Sequence, residues 1–65
     1  MKLEENKEYL HKDGTIHIVN VIEGGAAFVQ ILSGGNAIGA YSTSILDGQM
    51  EDYELAGSLQ PYTRP

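Results

Sequence analysis

The chain has no cysteine, no tryptophan, two prolines and only four cationic side chains in its 65 residues. Lacking cysteine, it can have neither a disulfide nor a thiolate metal site, two common staples of a domain this small. Four cations against nine acidic residues give a formal net charge of −5 and leave no basic stripe for phosphates. Direct nucleic-acid binding and adsorption to an anionic membrane are therefore not expected. No apolar run approaches the roughly 18 residues of a spanning helix. The opening Met1-Lys2-Leu3-Glu4-Glu5-Asn6 has no signal-peptide apolar core, so a soluble cytoplasmic protein is expected. A chain of this length buries only roughly 60% of the surface its unfolded form exposes, which makes self-association the leading way to add buried area.

What the chain does have is glycine at turn spacing. Gly14, Gly24-Gly25, Gly34-Gly35, Gly48 and Gly57 separate short runs rich in β-branched residues, which reads as all-β. Tyr9 to Lys12 is expected as a first strand and Asp13-Gly14 as a hairpin turn. Thr15 to Ile22 (TIHIVNVI), Ala26 to Leu32 and Ala37 to Thr43 follow as strands, with a second hairpin at Asp47-Gly48 and a last strand at Asp52 to Ala56. A helix over Leu3 to Leu10 is the minority alternative. The expected fold is a five-strand antiparallel meander, as an SH3-like barrel or a curved sheet. Residues 1–57 form the domain and residues 58–65 a flexible C-terminal tail.

Strand faces point to assembly. A two-residue Asp13-Gly14 turn puts Tyr9, His11, Ile16, Ile18, Asn20 and Ile22 on one face and Leu10, His17, Val19 and Val21 on the other. The third strand sets Ala27, Val29 and Ile31 against Phe28, Gln30 and Leu32. Both faces are substantially apolar, which is more than one small chain easily covers, so a homo-oligomer is expected.

Candidate chemistry is sparse. In the two-residue register His11 and His17 face opposite ways and share no ion, whereas a three-residue loop with a bulge shifts the register by one and puts them directly opposite each other. No complete three- or four-ligand set is visible, so neither a metal nor a cofactor is expected. The cluster Asp47, Glu51, Asp52 and Glu54 fails the EF-hand spacing and reads as a solvated acidic edge. No serine sits in a nucleophile elbow and no glycine run matches a dinucleotide or Walker loop, so catalysis is not expected. For an anionic ligand the candidates are the cations Lys12 and Arg64, the turn Ser33-Gly34-Gly35-Asn36 with its backbone N–H groups, and Tyr62 in the proline-stiffened tail.

The order Lys12-Asp13-Gly14-Thr15, a long β-branched strand, a glycine turn, another strand, then Asp47-Gly48 and a closing Asp52-Tyr53-Glu54-Leu55 resembles small phage- and prophage-encoded accessory β proteins. The resemblance spans residues 9 to 56, rests on turn chemistry and singles out no one family. It implies a non-catalytic anti-defence protein in the host-cell cytoplasm, sequestering a nucleotide-like signalling ligand as a homo-oligomer. The alternative is an SH3-like interaction module or inhibitor that binds a host protein through an acidic, tyrosine-bearing surface.

Overall fold

A computed structural model describes residues 3–44 and 59–64. Five strands form one antiparallel sheet: β1 (Glu8–His11), β2 (Ile16–Glu23), β3 (Ala26–Ser33), β4 (Asn36–Ser44) and β5 (Leu59–Tyr62). The order across the sheet is β4-β3-β2-β1-β5. Among the described residues the sheet is open rather than closed into a barrel, with β4 and β5 as its outer strands. Among the described residues there is no helix, and Leu3 to Leu10 holds a turn at Glu5-Asn6 and the start of β1. The expected turn at Asp47-Gly48, the strand at Asp52 to Ala56 and the acidic cluster from Asp47 to Glu54 lie outside the described residues.

The glycine doublets do what their positions require. Gly24 and Gly25 have φ of 60° and 78°, and Gly34 and Gly35 have 59° and 84°, as a two-residue hairpin turn of the I′ type demands. Two bulges interrupt the pairing. In β2 the register shifts between Val19 and Val21, so Asn20 and Val21 are both exposed before Ile22 turns inward again. In β4 the shift lies opposite Ile31/Leu32, leaving Ile38 as the extra residue.

The register of the first hairpin differs from the two-residue expectation. Tyr9 pairs with His17 and Leu10 with Ile16. Tyr9, His11, His17 and Val19 therefore share the inner face with Ile22, Ala27, Val29, Ile31 and Tyr41, while Leu10, Ile16, Ile18, Val21, Phe28 and Leu32 share the other. The third strand's alternation is as expected. Leu3, Tyr9, Val19, Ala27, Val29 and Leu59 form the buried core on the inner face. On the outer face Phe28 remains 47% exposed beside its cross-strand partner Val21.

Residues 59–62 are a strand and not a tail. Leu59 pairs with His11, Pro61 with Tyr9 and Tyr62 with Glu8. Burial of Leu59 in the core anchors the segment, and Pro61 is tolerated because an outermost strand needs no N–H on its free side. The N-terminal residues hook back over β2. Asn6 N–H donates to the Val19 carbonyl (2.8 Å) and Val19 N–H to the Lys7 carbonyl (3.0 Å). Asn6 takes φ of 63° to make this turn. Glu5 Oε2 accepts the Ile22 N–H at 2.9 Å, so a carboxylate stitches the backbone just past the β2 bulge.

Candidate functional site

The polar side chains of the inner face meet at one end of the β1–β2 hairpin. Its loop is Lys12-Asp13-Gly14. Gly14 N–H donates to the His11 carbonyl and His11 N–H to the Thr15 carbonyl, each at 2.9 Å, and Gly14 has φ of 93°. This is a three-residue loop, a turn followed by a left-handed glycine. Asp13 locks it, since Oδ1 accepts from Thr15 N–H at 2.9 Å and from Thr15 Oγ1–H at 2.6 Å. The extra loop residue turns His11 and His17 to the same face. They are diagonal rather than directly opposite neighbours, and their rings stack.

A hydrogen-bond chain runs inward from the loop. Asp13 Oδ1 lies 3.0 Å and the Asp13 backbone nitrogen 3.2 Å from His11 Nδ1, which donates to the carboxylate when it carries the proton and accepts the N–H when it is bare. Thr15 Oγ1 is 3.0 Å from His17 Nε2, and His17 Nδ1 is 3.0 Å from the Tyr41 hydroxyl. Proton counting fixes the directions at Thr15, His17 and Tyr41. The single Thr15 hydroxyl proton goes to the Asp13 carboxylate, so His17 Nε2–H must donate to Thr15 Oγ1. Neutral His17 then has a bare Nδ1, which accepts from the Tyr41 hydroxyl.

Electrostatics agree with that assignment. Hydrogen bonds from the Thr15 side chain, then its backbone N–H, and the neighbouring His11 hold the Asp13 carboxyl at about 2. Burial, then the proximity of His11, push the His17 imidazole below its ordinary range, against a smaller opposite pull from Asp13. Burial raises the Tyr41 phenol, keeping it a proton donor. His17 is 1% exposed while Asp13 faces solvent.

The residues expected to hold an anionic ligand do not converge. Lys12 is exposed in the β1–β2 loop, bordering a groove of about 190 Å³ with Leu10, His11, Gly14 and Gln60. Ser33, Gly34, Gly35 and Asn36 form the exposed β3–β4 turn at the same end of the sheet. Tyr62 lies at the opposite end, paired with Glu8, in a groove of about 290 Å³ between β1 and β5. Arg64 Nε donates to Glu8 Oε1 at 2.7 Å, so its charge is already matched. The hydrogen-bonded set of Asp13, Thr15, His17 and Tyr41 carried no sequence signal beyond the three-residue-loop alternative for the two histidines.

The other prominent feature is β4, Asn36–Ser44, the outermost strand on its side among the described residues, nine residues without a charge or a proline. Residues 36–40 are all exposed. The opposite outer strand β5 is four residues long, contains Pro61 and ends beside the Arg64–Glu8 ion pair. Short length, proline and charge are the devices that keep a sheet edge from pairing. β4 has none of them.

No protein-family model matches the chain, and the comparisons with curated proteins and with solved structures found no match either. Nothing in these comparisons identifies a phage-type family. Among the described residues no helix is long and apolar enough to cross a membrane.

Proposed function

We propose that the protein is a non-catalytic interaction module that assembles through its sheet, with β4 of one copy pairing antiparallel to β4 of a second. The observation that carries this reading is the uncharged, nine-residue strand that is outermost among the described residues, set against the guarded one at β5. A chain of net charge −5 repels its copies, and β4 is a strand along which two copies meet without opposing charges. Pairing there extends the sheet and places Phe28 and Val21 of each copy on the same face of one sheet.

A nucleotide-like ligand has less support. Its expected contacts are divided between the two ends of β1, and Arg64 is engaged by Glu8. A phage anti-defence role rests on the layout of turns alone.

Sedimentation or light scattering over a concentration series tests the proposal. A concentration-dependent dimer is expected, abolished by Ala40→Lys with the β-sheet circular dichroism retained. A wild-type chain that stays monomeric at millimolar concentration, or a dimer indifferent to Ala40→Lys in the folded variant, overturns it.

A further inference from the structure

We propose that His11, Asp13 and His17 form a binding site for a divalent transition ion of the zinc type. The potential ligand atoms of the three side chains all lie within 4.8 Å of one another. His11 Nδ1 and Asp13 Oδ1 are 3.0 Å apart, near the separation of about 3.3 Å between ligands that each lie about 2.0–2.1 Å from a tetrahedral zinc. His17 presents Nε2 toward Asp13 through Thr15 Oγ1 and keeps Nδ1 for Tyr41. The two rings stack nearly parallel, so their in-plane lone pairs converge on one ion once the His11 ring turns out of the stack, with water completing the coordination.

The surroundings fit such an ion in three respects. Two imidazoles and one carboxylate match zinc, cobalt, nickel or copper, and do not match calcium or magnesium, which take oxygen sets. The approach is one-sided: Asp13 is exposed while His17 is sealed beneath it. The outer partner is in place as well. When Nε2 of His17 binds the ion, the one proton of the neutral ring moves to Nδ1, where the Tyr41 hydroxyl oxygen, 3.0 Å away, accepts it. Tyr41 then turns its own proton elsewhere and the ring loses none. All three ligands belong to one hairpin, so the inference stands or falls independently of pairing through β4.

The untagged full chain at neutral pH is titrated with Zn2+ and, as a coloured probe, Co2+. The expected result is saturable binding of one ion per chain, with visible d–d absorption for Co2+ and a raised unfolding temperature with Zn2+. Asp13→Asn and His11→Gln, both of which leave the core apolar residues untouched, each weaken binding at least tenfold. In the wild-type protein, imidazole 15N shifts report His17 changing from the Nε2–H to the Nδ1–H tautomer, a signature that adventitious surface binding does not produce. Absence of saturable binding to the folded wild-type chain overturns the proposal. So does binding that both variants leave undiminished, or a His17 tautomer unmoved by Zn2+.

Discussion

The imidazole rings of His11 and His17 stack with centroids 4.9 Å apart and planes 18° from parallel, although His17 is paired across the ladder with Tyr9. The stack is a diagonal contact created by the length of the hairpin loop. Burial, and then the nearness of the His11 ring, disfavours a positive charge on His17.

A pH dependence follows from that neutrality. The His17 pKa is lowered in the folded state, so the unfolded chain binds the proton more readily. The stability this contributes is fully present above the ordinary value of 6.5 and is lost as pH falls from there toward the lowered folded value. Denaturant midpoints measured from neutral to mildly acidic pH should fall on acidification, and His17→Gln should flatten the slope. Asp13 adds a second, more acidic window, between 3.8 and about 2, which Asp13→Asn removes.

Gly14→Ala isolates the backbone of the loop. Nothing lies within 4 Å of the place a Cβ would occupy, yet φ is +93°. The cost is therefore conformational alone, about 1 kcal/mol. Equilibrium unfolding should show that loss with the His11–His17 stack preserved. A change in the stack, seen by NMR, would mean that glycine sets the register as well as the turn.

Thr43→Val should stabilise the protein. Thr43 Oγ1 is buried without a hydrogen-bond partner among the described residues, and valine keeps the branched shape that suits a strand. Removing an unsatisfied buried hydroxyl is worth about 1 kcal/mol. Thermal unfolding of the variant should shift upward by several degrees.

The N-terminal hook should prove structural. Glu5→Ala leaves the Ile22 N–H without its carboxylate partner and should cost about 1 kcal/mol, whereas Glu5→Gln, which keeps an acceptor oxygen, should cost less. Leu3, 1% exposed, should cost about 3 kcal/mol when cut to alanine. Hydrogen exchange at Ile22 distinguishes loss of the stitch from loss of the core.

Much of the fold was legible because it depends on local chemistry. The glycine doublets fixed two hairpins through their positive φ, and alternation in AAFVQIL assigned the faces of β3. The first hairpin was ambiguous by one residue, since Asp13-Gly14 suits both a two-residue turn and the end of a three-residue loop. What decides is the grip of Asp13 Oδ1 on Thr15, and that single residue moves His17 and Val19 to the other face. β5 was hidden for a different reason. LQPY carries no strong strand signal, and its pairing depends on the distant edge of β1. The hook through Glu5 likewise depends on a bulge that sequence periodicity does not mark.

The pairing of β5 with β1 also orders events in time. Hairpins joining β1 to β4 in succession need only short loops to close, but β5 must bring together segments from opposite ends of the described chain. Closing so long a loop is entropically costly and slows folding. During synthesis the outer side of β1 therefore stays unprotected until Leu59–Tyr62 has emerged and docked. The imidazole stack beside it reaches its sheltered state only at that last step.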